Sequence, residues 1–329
     1  MNISKCFKSF IHQDEKKNTQ NVKLKTTDSY EYVRELYCSI GVMAYNEEKN
    51  ISNIIDSLIN QKLHRVKIDE IIVVSSGSTD KTNEIVMDYC KKYDKILLFI
   101  EDKRKGKSSA INFFLKKAKS DLMVVISADT IPDHSAIEEL LIPFYNDTVG
   151  MTGGRPVPVN KEDNFIGYAV NLLWKLHHEM AMRKPKLGEM IAFRKLFDAI
   201  PHESAVDEAS IEALVAKHGF SCAYVPNAIV QNKGPETIRD FIKQRKRIAI
   251  GHEWLKKNHD YIVASSDTSL LFEVFFKECF TNNKDIFKII AVSLLELYSR
   301  FLGFIDFYLK KNNPYIWEMI PSTKKLEET

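Results

Sequence analysis

The sequence lacks most of the features that would place a chain of its size at a glance. Its five cysteines, Cys6, Cys38, Cys90, Cys222 and Cys279, form no C-x-x-C pair and no spacing to histidine that suits zinc. That excludes a cysteine-built metal site and predicts a reducing, cytosolic setting. An excess of one charge is also missing: 47 Lys and Arg against 44 Asp and Glu leave +3, too balanced for a general nucleic-acid binder. The first ten residues, "MNISKCFKSF", have no apolar h-region, and residues 11–30 are polar, so no export signal is expected and 1–35 reads as a loose lead-in. Repeats and low-complexity tracts are absent. An uninterrupted membrane span is absent too: the apolar run 286–309 carries Lys288, Glu296, Arg300 and Asp306, and is expected as a packed or interfacial helix paired with 270–280. Finally, "KRKGKSSAIN" (103–112) looks like the end of a phosphate-binding loop, yet position 101, where that loop needs its first glycine, is Glu101. A nucleotide hydrolase loop is thereby disfavoured.

What is present is a regular alternation between 36 and 146. Apolar runs "LYCSIGVM", "EIIVV", "KILLFI" and "LMVVIS" each precede an amphipathic pattern, as in Ile51, Ile54, Ile55, Leu58 and Ile59. Strands apolar throughout and joined by helices predict a mostly parallel α/β sheet covered on both faces. Ligands of such sheets sit beyond the carboxyl ends of the strands. The segments there read "AYNEE" (44–48), "SSGSTD" (75–80), "EDKRKGK" (101–107) and "SADT" (127–130), all polar. Helix caps at Ser78 or Thr79, and at Asp133, are expected on local grounds. Beyond 147 come a glycine-bearing stretch around Arg155, read as a turn near the sheet edge, and an aromatic helix over about 163–183. The acid pair Asp207 and Glu208 follows, and then a basic helix over about 236–257. "HHEMAM" lacks the second histidine of a zinc helix, so His177 and His178 are expected to be packed or solvated. Gly188 and Glu189 open a short strand and are expected to line a pocket.

Taken together, "AYNEE", "SSGSTD", "GKSSAIN", "SADT", the pair Asp207 and Glu208, and "QRKRI" resemble, in type and in order, the family 2 inverting glycosyltransferases over residues 37–255. The resemblance implies a GT-A fold, Rossmann-like, with a C-terminal helical extension. It implies a catalytic domain over 36–257, with a donor half (36–150) and an acceptor half (151–257), and a helical tail over 258–329. It further implies sugar transfer from a nucleotide-diphosphate donor to a hydroxyl acceptor, with Mg or Mn as cofactor.

Residue by residue, Tyr45 and Glu47 would meet the nucleoside, Ser76 would stand where the base is read, and Lys107 would lie by the phosphates. Asp129 would hold the metal, Glu208 or its neighbour Asp207 would be the base, and Gln244 with Arg247 would hold the diphosphate. Five positions depart from the family pattern. Ser75 and Ser76 replace aspartates before "GS", Ser127 replaces the first metal-site aspartate, Glu208 stands where Asp is commoner, and Ile248 replaces a tryptophan. The last departure points to single additions rather than polymer synthesis. A glycan or lipid-linked acceptor, peripheral contact with the cytoplasmic face of a membrane, and no nucleic-acid partner complete the expectation. The alternatives are a catalytically silent adaptor of the same fold and a sugar nucleotidyltransferase.

Overall fold

The structure, a computed structural model, describes residues 34–310 and 323. Its first strand, β1 (Leu36–Ala44), shows how the sequence builds the rest. Cys38, Ile40, Val42 and Ala44 point to one face of the sheet and Met43 to the other, and both faces are buried. Gly41 lies on the second face because a Cβ there would come within 2.7 Å of the Phe114 ring. Strand β2 (Val66–Ser76) repeats the division, with Ile71 and Val73 on one side and Ile72 and Val74 on the other.

Helix α1 (Ile51–Ile59) buries Ile51, Ile54, Ile55 and Leu58, the periodic set, against the first face. The same face receives α2 (Thr82–Lys92) through Val86 and α4 (Ala136–Leu141) through Ile137 and Leu140. The opposite face is covered by α3 (Lys107–Lys117) through Ile111, Phe114 and Leu115, and by α6 (Asp207–Lys217) through Ile211 and Val215.

The eight strands run in the order β3-β2-β1-β4-β7-β6-β8-β5. Pairings among β3 (Ile96–Glu101), β2, β1 and β4 (Leu122–Ser127) are all parallel. Strand β7 (Met190–Arg194) is antiparallel to both β4 and β6 (Val149–Pro158). The far edge is formed by β8 (Ser221–Asn232), parallel to β6, and by the short β5 (Thr130–Pro132), antiparallel to β8. The predicted mostly parallel sheet with helices on both faces is therefore present, with a mixed half added.

Two local expectations change. Arg155 lies inside β6 rather than in a turn, and the glycines before it are close-approach positions. A Cβ on Gly153 would strike Leu187, and one on Gly154 would come within 2.5 Å of the Ala228 carbonyl. Helix α2 starts at Thr82, later than a cap at Ser78 or Thr79 would give. Those residues are drawn instead to the preceding loop: Ser78 Oγ accepts from Asn46 N (3.1 Å), and Asn46 Oδ1 accepts from Thr79 N (2.8 Å). Asp133 likewise leaves the start of α4 to Ser135, while its own N–H donates to the Ile229 carbonyl.

Helix α5 (Phe165–Ala181) and three C-terminal helices, α7 (Ile238–His259), α8 (Thr268–Thr281) and α9 (Ile286–Tyr308), complete the described elements. Helix α9 lies along α7, and the charges that interrupt its apolar run explain why. Arg245 of α7 donates two bonds of 2.7 Å to Glu296, Arg300 donates a third of 2.7 Å, and Lys246 reaches Asp306 at 2.8 Å. Gly303 permits the close crossing: a Cβ there would stand 2.8 Å from both the Lys246 carbonyl and the Ala249 methyl. Among the described residues no helix is long and apolar enough to cross a membrane.

Candidate active site

The loops that follow β1, β2 and β3 are joined to one another before they meet anything else. Backbone N–H groups of Glu47 and Glu48 donate to Thr82 Oγ1 (2.8 Å) and Asp80 (3.0 Å), tying the first loop to the second. The second touches the third at Gly77 (φ 70°), where a Cβ would come within 2.5 Å of the Arg104 backbone. Glu101, which breaks the hydrolase motif, has a positive use: its carboxylate accepts from Ser76 Oγ of β2 and from Ser109 Oγ of α3 (2.6 Å). Both ends of the basic loop 102–106 are thereby held. Gly106, at φ 92°, makes the turn into α3.

These loops form one wall of a cavity of about 350 Å³. Tyr45, Glu47, Ser76, Lys107 and Asp129 all line it, and the Arg104 guanidinium stacks 4.0 Å from the centre of the Tyr45 ring. Glu47 is buried and accepts from the Asn50 amide at 2.9 Å. Gln244 and Arg247 reach the cavity from α7, and Glu208 from the first turn of α6.

Asp207 and Glu208 separate here. Asp207 is 1% exposed, outside the lining, and accepts from Ser108 Oγ at 2.6 Å. Glu208 opens on the cavity and pairs with Lys107 Nζ at 2.6 Å. Burial alone would raise the Glu208 carboxyl, but the Lys107 ammonium outweighs it and holds the group below the usual carboxylate range. Asp207, buried and next to that second carboxylate, is pushed up to about 6 despite Lys107. Burial works against the charge on Lys107 as well, yet the two carboxylates win and its ammonium is strengthened. The sequence suggested a lysine by the phosphates; the structure adds that the same lysine grips the candidate base.

Burial raises Asp129 as well, against Lys107 and Arg247. Glu189, just ahead of β7 at φ 59°, is pushed up to about 7 by burial and then by Asp129 and Glu208. Arg247 is lowered to about 9 by burial, although Glu189, Asp207, Glu208 and Asp129 all favour its charge. Four carboxylates and two cations thus share one low-dielectric space. Gly188 and Glu189 line the cavity, as the sequence led one to expect, but that Glu189 joins the carboxylates depends on one left-handed backbone position and on the β4–β7 pairing.

Among the described residues no group of three His, Cys, Asp or Glu is arranged to hold a metal by itself. The oxygens of Asp129, with Glu189 beside it, suit a hard divalent ion that takes its other ligands from phosphates and water.

The other wall is made by α5, α7 and the approach to β7, with Trp174, His177, Lys186, Ile248 and His252 among its side chains. His177 is packed, as expected, with its ring edge-on to Trp174 at 5.1 Å, and His178 meets the Tyr224 hydroxyl at 2.9 Å.

A parallel four-stranded half joined to a mixed half, with an acid-and-base cavity at the strand ends, is a GT-A fold. In keeping with that, a solved mannosyltransferase from Pyrobaculum calidifontis, in complex with GDP-Man and Mn2+, superposes with a TM-score of 0.55 at 19% identity, covering 84% of this chain and 81% of that one. The family model described as glycosyl transferase family 2 matches residues 39–215, more than half of the chain, and the chain belongs to that family. It is 24% identical over 233 residues to the probable glycosyltransferase YdaM of Bacillus subtilis, covering 66% of this chain and 55% of that protein. To a poly-β-1,6-N-acetyl-D-glucosamine synthase of Staphylococcus aureus it is 26% identical over 228 residues, covering 65% and 54%. The chain spans about half the length of these curated relatives.

Proposed function

We propose that the protein is an inverting glycosyltransferase, moving a sugar from a nucleotide-diphosphate donor to a hydroxyl of a glycan or lipid-linked acceptor. The observation that carries this reading is the Lys107–Glu208 pair, facing Asp129 and Arg247 across one cavity. Inversion needs one carboxylate on the side of the sugar opposite the leaving diphosphate, ready to take the acceptor proton. Glu208 opens on the cavity and is ionised at neutral pH, whereas Asp207 is enclosed; Asp207 positions Ser108 and the helix start.

In this reading the nucleoside lies against Tyr45, Glu47 and Ser76, and the diphosphate takes Lys107, Gln244 and Arg247. Its arrival gives Lys107 a second anion to neutralise. The ammonium is then shared, the hold on Glu208 weakens, and the carboxylate becomes a stronger base when a donor is in place. Asp129, with Glu189, would hold Mg or Mn, which when bound supplies positive charge to the departing diphosphate.

The acceptor is proposed to be presented at a membrane surface, in the cytoplasm. Phe276 and Phe280 of α8 and Phe287, Ile290, Leu294, Leu297 and Phe301 of α9 leave large apolar surfaces exposed, and on α9 they recur at three- and four-residue steps. Arg245, Lys246 and Arg247 of α7 are engaged by Glu296, Asp306 and the acidic cavity, which leaves Arg239, Lys256 and Lys257 as exposed charges of that helix, so the proposed attachment is apolar more than electrostatic.

A thermal-shift panel of nucleoside diphosphates with Mn2+, followed by product analysis with the sugar donor of the nucleotide that binds, tests the reading. The expected result is one stabilising nucleotide and a product of inverted anomeric configuration. No stabilisation by any nucleotide, or a product of retained configuration, would overturn it.

A further inference from the structure

The wall opposite the donor loops holds an unmatched group of nitrogen donors. Lys186 lines the cavity, and among the described residues its ammonium makes no hydrogen bond or ion pair. The carboxylates near enough to act on it are already engaged: Glu296 accepts from Arg245 and Arg300, and Glu212 accepts from the Tyr261 hydroxyl at 2.6 Å. Two histidines share its field. His177 of α5 is 8% exposed with Nδ1 lacking a hydrogen-bond partner, and His252 of α7 lines the cavity without a ring hydrogen bond among the described residues. Lys186 acts electrostatically on both rings, and Arg245 does the same from behind.

Buried donors are normally satisfied. Here one buried imidazole, one half-buried imidazole and one half-buried ammonium, from three separate elements, line the same cavity with no hydrogen-bond partner among the described residues. Glu296 is taken by Arg245 and Arg300 and Glu212 by the Tyr261 hydroxyl, so Lys186 has no carboxylate of its own among the described residues. Burial and the neighbouring guanidiniums lower the Lys186 amine to about 7, and His252 falls to about 3. Both imidazoles are neutral at pH 7, and each then offers one N–H.

We propose that this wall is an acceptor subsite for a phosphate group, so that the preferred acceptor is a phosphate ester whose reacting hydroxyl lies at a different atom from the phosphate. A phosphate offers only acceptor oxygens arranged tetrahedrally, which matches three nitrogen donors approaching from different helices and loops. Its negative charge would also give the Lys186 ammonium the counter-ion it lacks among the described residues. Lys107 stands with Glu208 at the other wall, where the proposed function commits it to the donor diphosphate, so a second phosphate would fall to Lys186. This inference rests on the transferase reading above, because it treats the space beside Glu208 as the acceptor's.

The two sources of such a phosphate, a soluble ester and a phospholipid headgroup, are separable by competitive acetylation of the whole protein at pH 7.5, with Lys186 and Lys107 read individually by mass spectrometry. The probes are glycerol 3-phosphate, monomeric dihexanoyl phosphatidylglycerol and, as the uncharged control, glycerol. At millimolar concentration either phosphate compound is expected to lower Lys186 acetylation at least threefold while glycerol leaves it unchanged. Protection by glycerol 3-phosphate alone assigns a soluble acceptor, and protection by the lipid alone assigns a headgroup. Unchanged Lys186 labelling with both phosphate compounds overturns the proposal.

In Lys186→Met the rise in Tm produced by the protecting compound is expected to disappear, while the rise produced by a nucleoside diphosphate persists. A variant that keeps the first rise would also refute the subsite. Failure of every nucleoside diphosphate to protect Lys107 falls instead on the transferase reading, and leaves the Lys186 result to stand or fall by itself.

Discussion

Two lysines line the same cavity and are treated in opposite ways by its two walls. Lys107, on the donor wall, stands among Glu208, Asp207 and Glu189 and is held charged against the effect of burial. Lys186, on the helical wall, stands among Arg245 and Arg300 and falls to about 7. Burial is common to both, so the neighbours decide the charge. On the donor wall the lysine is matched by a carboxylate before any ligand enters, and in the proposed function it would exchange part of that contact for the diphosphate. The helical wall is incomplete, and its charges are matched only by something that enters.

The sharpest way to break this contrast is Glu208→Gln, which removes the proposed base but keeps its shape. Turnover should fall by roughly 10²–10⁴-fold with nucleotide affinity retained, measured as kcat beside a nucleotide titration. A fall of less than tenfold would return the base to Asp207 or Glu189. Asp129→Asn comes next, with an expected loss of roughly 10²–10³ in kcat and a flattened dependence on Mn2+ concentration.

Behind the helical wall, Glu296→Gln leaves Arg245 and Arg300 buried without their carboxylate and should cost about 3–5 kcal/mol of stability, read by denaturant unfolding. The pH dependence has a defined sign. Glu296 is held at about 2 by the two arginines, against burial, so its contribution is complete above the ordinary carboxylate pKa of 4.5 and is lost as pH falls from there toward about 2. In Glu296→Gln that part of the acid destabilisation should be missing.

The subtlest change is Lys107→Met. With Glu208 as the proposed base, activity requires its ionised form and is lost as pH falls through the pKa of that group. Without the ammonium the acid limb of kcat/KM should move to higher pH. An unmoved limb would show that Lys107 does not tune the base.

Much of this was readable in the residues, for physical reasons that differ by region. The parallel half was legible because each of its strands is apolar on both faces and each helix repeats at 3.6 residues; the pattern around Ile51, Ile54, Ile55 and Leu58 needs no tertiary information. The positions of Tyr45, Ser76, Lys107 and Asp129 at one cavity follow from that regularity, since parallel strands bring their carboxyl ends together. The other half was less legible because its geometry is set by long-range contact. Arg155 is strand because Gly153 and Gly154 admit Leu187 and Ala228, residues far along the chain. Glu189 joins the acid cluster through antiparallel pairing of β7 with β4, and Lys186 within "KPKLGE" looks like any solvated lysine. The Lys107–Glu208 pair spans about a hundred residues and has no local signature.

The crossing of α7 and α9 at Gly303 has a mechanical consequence. The residues of α7 that meet Gly303 are Lys246, Ala249 and Ile250, while Gln244, Arg247, Ile248 and His252 project from the opposite side of the same helix into the cavity. Helix α7 therefore works as a spacer of fixed thickness between a crossing point and a binding surface. Anything that thickens the crossing, even by one methyl group, pushes the whole row of cavity side chains toward the donor loops. The width of the reaction space is gauged at a glycine that never touches it.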